Sequence, residues 1–269
     1  MEGREYRGIL HCHSTYSYDA KMSLTELREL FVEHGLSFVC MTEHTNVMSR
    51  EQAEAFAAEC DRLSDENFLF IPGFEVPYHR AHVLMIGARN FCGNFARTEA
   101  ELATWAESAQ FVVLAHPVRN KFVVQDELLE HIDALEVWNQ QYEGKRVPRP
   151  SSLSLFKSLR EKKSELVATG GVDFHRGEHL GAPVTTLSVT SLTEGEIIEK
   201  LRAGAYTISS DHALVYGTLP DADTLIKKFK FESALSVAVI VAGKTVNKTL
   251  KSLGISLPKG LKNIIRRRI

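Results

Sequence analysis

The chain has 269 residues, of which 44% are hydrophobic and 25% are charged, as is usual for a soluble globular protein. This length allows one large or two small domains and can bury a core without disulfide or metal staples. The four cysteines show no paired spacing, no signal peptide precedes Gly8, and no apolar run approaches the ~18 residues that span a bilayer. We therefore predict a cytoplasmic protein with reduced thiols and no transmembrane segment.

The net charge of −2 is unevenly distributed along the chain. Residues 221–269 contain eleven Lys or Arg and three Asp or Glu, a net charge of +8, which leaves −10 for the rest. We predict an α/β domain over residues 1–212 and a basic, partly apolar extension over residues 213–269. The extension could be helical and packed on the domain with its lysines solvated, which we favour. It could instead bind an anionic surface, either nucleic acid or a membrane.

Short apolar runs alternate with amphipathic stretches along the first 210 residues. The runs predict strands at residues 7–10, 37–41, 68–71, 82–87, 111–114, 134–138, 166–169 and 184–189. Capping patterns and helical periodicity predict helices that begin near Ser23, Ser49, Thr98, Asp126, Ser151 or Ser152, and Thr193. This alternation favours a parallel sheet with helical crossovers.

Polar residues follow several of these strands directly. No glycine-rich phosphate loop marks the switch point that an open doubly wound sheet would use. Barrel enzymes collect their chemistry at the carboxyl ends of their strands, so a barrel fits this pattern better. About seven such strands can be counted, one fewer than in a complete eight-stranded barrel.

The first of these strands ends in His11-Cys12-His13. Because strand side chains alternate, we expect both imidazoles to point the same way and to begin a metal site. With residues that follow later strands, there are nine potential ligands: His11, His13, Asp19, His44, Glu75, His82, His116, Asp173 and His175. Imidazole and carboxylate ligands suit Zn, Mn or Fe. Nine are too many for one ion, so we predict two or three divalent metal ions, a common design for phosphate ester hydrolysis.

Six motifs, taken in order, resemble those of the PHP (polymerase and histidinol phosphatase) family. They are residues 10–19 (LHCHSTYSYD), 41–46 (MTEHTN), 73–75 (GFE), 82–84 (HVL), 114–117 (LAHP) and 171–175 (GVDFH). The resemblance covers residues 7–210. It implies an α/β fold, a distorted (β/α)7 TIM-like barrel, here with a basic C-terminal appendage. It also implies a metal-dependent phosphoesterase, here without the inserted domain that the nucleotide- and RNA-directed relatives carry between the Glu75-like and His116-like motifs, which weakens a transfer of their particular substrate.

The resemblance distributes the nine ligands over three ions. One site would contain His11, His13, Glu75 and Asp173. Glu75 would bridge to a second ion held by His82 and His116, and the third ion would be held by Asp19, His44 and His175. His79 is an alternative to His82. Glu43 stands where the family more often has Asp, and we expect it to support the ligands.

The functional hypothesis is hydrolysis of a phosphate mono- or diester by a hydroxide that bridges the metals. The substrate would be a nucleotide, a nucleic-acid end or another small phosphorylated metabolite. Arg119 is the first candidate for gripping the phosphate and Arg176 the second, while His179 or Lys121 would protonate the leaving group. The alternatives are a histidinol-phosphate-type phosphatase and a non-catalytic, metal-bearing binding module. Tyr16 and Tyr18 could line the substrate pocket or pack the metal loop.

Overall fold

The computed structural model describes residues 3–232, in which twelve β-strands form one mixed sheet. The strands are β1 (Arg4–Cys12), β2 (Phe38–Met41), β3 (Glu43–His44), β4 (Leu69–Ile71), β5 (Gly73–Tyr78), β6 (Ala81–Ile86), β7 (Phe111–Leu114), β8 (Ala134–Asn139), β9 (Val167–Phe174), β10 (Val184–Val189), β11 (Tyr206–Ser209) and β12 (Leu214–Tyr216). The helices are α1 (Leu24–Glu33), α2 (Arg50–Leu63), α3 (Glu99–Ser108), α4 (Asp126–His131), α5 (Gln140–Glu143), α6 (Pro150–Lys162) and α7 (Glu194–Arg202). Residues 222–232 are also helical.

The sheet combines a parallel centre with antiparallel flanks. Strand β1 is parallel to β2 and β9, β8 lies between β9 and β7, and β3 is parallel to β5. Strand β6 is antiparallel to both β5 and β7, and β10, β11 and β12 extend the sheet from β1 in antiparallel order. The α/β class is therefore confirmed, but the expectation of a parallel sheet throughout is wrong.

The departure from parallel order has a local cause between β5 and β6. Only His79 and Arg80 separate these strands, and His79 adopts a φ of 50°. A parallel crossover needs about a dozen residues or more, whereas two residues suffice for a hairpin. Strand β5 was not among the predicted elements, because Phe74 to Tyr78 is interrupted by Glu75 and Pro77 and has no simple apolar pattern.

Helix starts follow the capping signals closely. Ser23, Ser49 and Thr98 each complete a capping box, in which the side chain accepts the backbone N–H three residues on. Gly35 follows α1 with a φ of +69°, the conformation that ends a helix most easily without a Cβ. The prediction for α6 is wrong in detail, because the helix starts at Pro150, whose fixed φ and missing N–H suit a first helical position.

The buried strands bring polar groups to one edge of the sheet. Every residue of β7, β8 and β9 is buried. Because β1, β7, β8 and β9 run parallel, His11, His116 and Asp173 lie at strand ends that share this edge. The core of the fold therefore positions residues that are more than 100 positions apart in the sequence.

The predicted extension is described only in part. Strand β12 pairs with β11, and Leu225 and Phe229 of the helix over residues 222–232 are buried in the core. Residues 233–269, with most of the basic extension, lie outside the described residues, so the domain boundary and the role of the extension stay predictions. Among residues 3–232, no helix combines the length and apolar composition that a bilayer span requires. The cytoplasmic location stays a prediction.

Candidate metal centre

Three residues at the strand ends have a left-handed backbone. The φ angles are 63° for His11, 26° for His116 and 53° for Asp173. Residues with a Cβ rarely adopt this region, and each costs on the order of 1–3 kcal/mol that the surrounding fold must offset. Such outliers concentrate at functional sites, and here they coincide with three of the predicted ligands.

The backbone of β1 departs from regular pleating at His11. Its register shifts between Leu10 and Cys12 against both β2 and β9, and the strand ends before His13. Simple alternation therefore does not align the two imidazoles, and that part of the sequence argument is wrong. The two rings nevertheless converge, because the irregular segment directs each Nε2 to the same two carboxylates, Glu75 and Asp173.

The Glu75 carboxylate lies at the centre of the cluster. Its Oε2 is 3.4 Å from Nε2 of His11, 3.4 Å from Nε2 of His13 and 3.0 Å from Nδ1 of His44. Its Oε1 is 3.0 Å from Nε2 of His116 and also contacts Nδ1 of His82. One carboxylate thus contacts five imidazoles, an arrangement in which it can bridge two cations.

Two aspartates extend the cluster outward. Asp173 Oδ1 lies 3.5 Å from Nε2 of His11, 3.6 Å from Nε2 of His13 and 3.5 Å from Nδ1 of His175. Asp19 Oδ2 lies 3.5 Å from Nε2 of His44 and from Nε2 of His175. All nine residues that the sequence proposed as ligands therefore lie in one connected cluster.

The ligand atoms fall into three compact groups, each within 4.8 Å. They are His13 with His44 and His175, His11 with His13 and Asp173, and His11 with Glu75 and His116. The Nε2 atom of His13 is buried and accepts no hydrogen bond from residues 3–232. A buried imidazole nitrogen without a partner is costly, and a divalent cation would satisfy it. The clusters fit a multi-metal site.

A buried acid that the sequence analysis missed orients His11. Glu136 Oε1 lies 2.9 Å from His11 Nδ1, and Glu136 Oε2 accepts hydrogen bonds from the His116 backbone N–H at 2.6 Å and from Asn139 Nδ2 at 2.9 Å. Donation from His11 Nδ1–H leaves the lone pair on Nε2 directed at Glu75 and Asp173. The available signal was an acidic residue within the apolar run of β8, all of which is buried.

A glycine makes room for this acid. A Cβ on Gly171 would lie 1.7 Å from Glu136 Oε1 and 2.9 Å from Cβ of His11. Because glycine has no Cβ, the backbone of β9 approaches the Glu136–His11 pair more closely than any residue other than glycine would allow. The position of Gly171 in the GVDFH motif thus has a packing reason that connects β8, β9 and the metal centre.

Glu43 supports the cluster through its hydrogen bonds to Ser14 and Ser17. It is fully buried and accepts hydrogen bonds from the Ser14 backbone N–H at 2.8 Å, the Ser14 hydroxyl at 2.6 Å and the Ser17 hydroxyl. Ser17 Oγ in turn accepts the His44 backbone N–H at 2.9 Å and lies 3.3 Å from Nδ1 of His13. Glu43 therefore acts on His13 and His44 through Ser17.

The electrostatics of the inner residues suit cation binding. Burial lowers the pKa of His13 to about 3, so its ring is neutral and can act as a ligand. Burial also disfavours the charged form of Glu75, but the charge of His11 and the hydrogen bonds of the surrounding imidazoles hold the pKa of Glu75 well below its usual range. Burial opposes the charged form of His11, but the charges of Asp173, Glu136 and Glu75 raise its pKa well above the usual value, and a cation bound at Nε2 would replace that proton. Before a cation binds, the centre therefore combines the neutral ring of His13 with the charged ring of His11 and the ionised carboxylate of Glu75.

Comparison with known families decides the identity of the fold. The PHP domain matches residues 10–168, which is more than half of the chain. The chain belongs to the PHP domain family. The resemblance drawn from the sequence is thereby confirmed, while no curated protein matches the chain.

Solved structures with low sequence identity share the fold. A two-domain protein from Bacteroides vulgatus, described as containing a predicted PHP-like metal-dependent phosphoesterase, is 15% identical with a TM-score of 0.57, covering 79% of this chain and 67% of that one. Endonuclease Q, solved with a 27-mer duplex substrate that has an abasic lesion at the active site, is 19% identical with a TM-score of 0.55, covering 75% and 57%. The lesion-specific endonuclease Q from Pyrococcus furiosus is 19% identical with a TM-score of 0.53, covering 76% and 58%. This PHP chain spans less than two thirds of the length of either endonuclease.

The predicted phosphate-binding residues of this PHP domain differ in their distance from the ligands. Arg119 lies in the turn after β7, is exposed, and places Nη1 against Nε2 of His82. Arg176 is exposed just after His175, and among residues 3–232 its side chain makes no hydrogen bond. Lys121 is exposed in the same turn as Arg119. Arg119 is thus the cation that the fold brings into direct contact with the cluster.

Two other histidines of the PHP domain are clearly separated in role. His179 Nδ1 accepts the backbone N–H of His175 at 3.1 Å, so this ring braces the loop that carries a predicted ligand. His79, the alternative to His82, is exposed in the β5–β6 turn and packs on Tyr78 instead. His82, not His79, is the one that contacts Glu75.

Tyrosines around the PHP centre divide into packing and surface residues. Tyr16 donates its hydroxyl to Glu59 at 2.8 Å and its ring lies 5.4 Å from that of Phe56, so it packs the loop onto α2. Tyr18 is 62% exposed and is stacked on His44. Tyr142, which the sequence analysis missed, is 37% exposed beside His116. Nothing in the local sequence of α5 distinguishes Tyr142 as a residue of the site.

Proposed function

We propose that this protein is a metal-dependent phosphoesterase that hydrolyses a phosphate mono- or diester of a nucleotide, a nucleic-acid end or another small phosphorylated metabolite. The observation that carries the proposal is the contact of the single Glu75 carboxylate with five imidazoles, beside an unsatisfied His13 Nε2. Such a site suits two or three cations, an arrangement used to stabilise both the attacking and the leaving oxygen of a phosphoryl centre.

The proposed ligands are the nine residues of the cluster. His11, His13, Glu75 and Asp173 would hold one ion, His82 and His116 would share Glu75 with a second, and Asp19, His44 and His175 would hold a third. Zn, Mn and Fe suit these donors. When bound, such ions supply a nucleophilic hydroxide at neutral pH and charge neutralisation at the phosphate oxygens.

The protein's own residues would orient the ligands and the substrate. Glu136 holds His11 in the tautomer with Nε2 free, and Ser17, itself held by Glu43, does the same for His13. The guanidinium of Arg119, beside His82, would grip two phosphate oxygens. These groups are in place before substrate arrives, so little reorganisation is needed during the reaction.

His179 and Lys121 are the two candidates for the group that protonates the leaving group. Burial, and then the charges of His175 and Arg176, lower the pKa of His179, which favours the neutral ring. Its hydrogen bond to the His175 backbone therefore supports a positioning role more strongly than an acid role. Arg176, exposed beside this loop, would meet only an extended substrate.

A closed barrel of seven strands is the proposed form of the sheet. Strand β3 follows β2 after Thr42 alone, and β5 follows β4 after Pro72 alone. If each pair counts as one strand, pairing can be traced from β1 through β2/β3, β4/β5, β6, β7, β8 and β9 back to β1. This continuous path supports a distorted barrel whose mouth is the metal centre.

Nucleotide or nucleic-acid substrates are favoured over histidinol phosphate within this proposal. Two of the structural neighbours are endonucleases, and one was solved with a DNA duplex. The basic residues of the C-terminal extension would add attraction for a polyanion. Only β6, α3 and β7 separate Glu75 from His116, so the loops at the mouth would contact the substrate directly.

Metal analysis combined with a substrate panel tests the proposal. The full-length protein, loaded with Zn or Mn, should retain two or three ions per chain and hydrolyse at least one of a nucleotide, an oligonucleotide, a sugar phosphate or histidinol phosphate. Asp173→Asn, close in shape to the native residue, is the matched control and should lose turnover together with the ion that Asp173 would hold. Protein that binds no metal would contradict the proposal, and metal binding without turnover of any ester would favour the binding module.

A further inference from the structure

Two exposed tyrosine rings stand beside the metal centre. The Tyr18 ring lies 5.4 Å from that of His44 with an interplanar angle of 25°, and the Tyr142 ring lies 5.0 Å from that of His116. Their exposed fractions are 62% and 37%. Each ring is thus placed by a site imidazole, yet a large part of its surface faces solvent. Exposed aromatic surface at such a site is a binding surface in many proteins.

The two tyrosines pack on imidazoles of two different ligand groups. His44 belongs to the group with His13 and His175, whereas His116 belongs to the group with His11 and Glu75. The middle group, His11, His13 and Asp173, shares one member with each of them. A phosphate bound over this middle group would have one tyrosine on each side.

We propose that Tyr18 and Tyr142 stack on the two bases that flank the scissile phosphodiester of a single-stranded nucleic acid. This inference rests on the proposed phosphoesterase function and names its substrate class. A phosphate monoester has one organic substituent and could use only one ring. A diester within a strand has a nucleoside on each side, so it can use both. Stacking on aromatic side chains tolerates any base, because every base offers a π-face.

The neighbouring Tyr16 shows that the loop does not expose its aromatics indiscriminately. Only Ser17 separates Tyr16, whose ring packs on Phe56, from Tyr18, whose ring stacks on His44. Of the two, Tyr16 is held by a hydroxyl hydrogen bond, to Glu59. Among residues 3–232, neither the Tyr18 nor the Tyr142 hydroxyl forms a hydrogen bond. With exposed fractions of 62% and 37%, both rings retain surface that a ligand could cover.

Positive charge around the mouth matches a strand backbone. Lys21, Arg119, Lys121 and Arg176 are all exposed, and they follow β1, β7 and β9 at the edge that carries the ligands. The Lys21 backbone N–H donates to the His175 carbonyl at 2.9 Å, which places this lysine next to the site. Such cations neutralise phosphates without regard to sequence, so they complement base stacking rather than replace it.

The experiment compares two oligomers that differ only in their bases. One is hexathymidylate, and the other is a hexamer of abasic tetrahydrofuran residues with the same phosphates. Each is given to the metal-loaded full-length protein and to Tyr18→Ala, Tyr142→Ala, Tyr18→Phe and Tyr142→Phe. Tyr216→Ala is the matched control, because Tyr216 is 48% exposed but lies on the edge strand β12. Cleavage is measured as kcat/KM and binding by fluorescence anisotropy.

Each Tyr→Ala variant should lose about tenfold in kcat/KM and in affinity on hexathymidylate, and less than about twofold on the abasic hexamer. The Phe variants and Tyr216→Ala should match the wild type on both. Any attraction of the basic extension for phosphates would be common to both oligomers, so the ratio of the two rates cancels its contribution. Equal losses on both oligomers, or a loss at only one tyrosine, would overturn the inference.

The anisotropy measurement separates this inference from the proposed function. If neither oligomer is cleaved but each Tyr→Ala variant weakens binding of hexathymidylate alone, stacking is supported and the nuclease activity is not. If hexathymidylate is cleaved and the variants cleave it as well as the wild type, the phosphoesterase stands and the role of the tyrosines falls.

Discussion

The nine residues of the metal centre divide into an inner and an outer set. The inner set is His11, His13, Glu75, His116 and Asp173, and no side chain in it is more than 10% exposed. The outer set is Asp19, His44, His82 and His175, with exposed side-chain fractions from 12% to 38%. The inner residues lie on or next to buried strands, whereas Asp19 lies on the loop between β1 and α1.

The difference teaches how rigidity is distributed across the centre. Inner ligands are oriented by buried acids, since Glu136 holds His11 and the backbone of His116. Asp19 has no comparable support, and its Oδ1 makes no hydrogen bond to residues 3–232. We therefore expect the inner ions to bind tightly and the ion shared by Asp19, His44 and His175 to exchange more readily.

Loss of an inner carboxylate should have the largest effect. Asp173→Ala removes a group that contacts three imidazoles, and we expect turnover to fall by at least about 1000-fold, because several kcal/mol of charge stabilisation are lost. Steady-state kinetics on any substrate of the wild type would measure this loss, and circular dichroism should find the fold retained. Wild-type rates in this variant would remove the inner set from the mechanism.

Loss of an outer carboxylate should be milder and reversible. Asp19→Asn should release one ion per chain while the inner ions stay bound, with a drop of roughly 10- to 100-fold in activity that excess metal restores. Metal content by mass spectrometry and activity against metal concentration are the measurements. If Asp19→Asn and Asp173→Ala lose the same ions, the division into two sets is wrong.

Glu136→Gln tests whether a residue that touches no ion strengthens the inner set. The change keeps the shape but removes the negative charge opposite His11 Nδ1, so we expect metal affinity or activity to fall roughly 10- to 100-fold. The control is Glu143→Gln, a partly buried acid whose carboxylate contacts Ser152 and the Arg149 backbone instead. Equal effects of the two changes would indicate general destabilisation.

Glu143 should affect stability and its pH dependence, but not catalysis. Burial raises its pKa from 4.5 to about 8, so between these values the folded state keeps a proton that the unfolded state releases. The free energy of unfolding of the wild type therefore falls as the pH rises from 4.5 to 8 and levels off above, by roughly 3 kcal/mol from this residue. The free energy of unfolding, measured with urea at pH 5 and pH 8, should decrease less between these pH values in Glu143→Gln than in the wild type. An equal decrease in both proteins would contradict the prediction.

The predictability of the molecule follows the range of the interactions involved. Capping boxes at Ser23, Ser49 and Thr98 and the strand at Phe111–Leu114 depend on neighbours within a few positions, and the structure contains them where the sequence predicts them. The pairing of β6 with β7 joins residues more than 20 positions apart, so periodicity alone could not place it.

The sequence by itself determined the family, the α/β class and which histidines and acids could meet, because strand ends and ordered motifs are local features. Only the tertiary structure decided how they meet: the left-handed backbone of His11, the Glu136 support, and the exposure of Tyr18 and Tyr142 beside the cluster. These features arise from contacts between β1, β8 and β9 and the loops around them, whose residues lie up to 162 positions apart. No local propensity records such contacts, since each depends on the packing of the whole sheet.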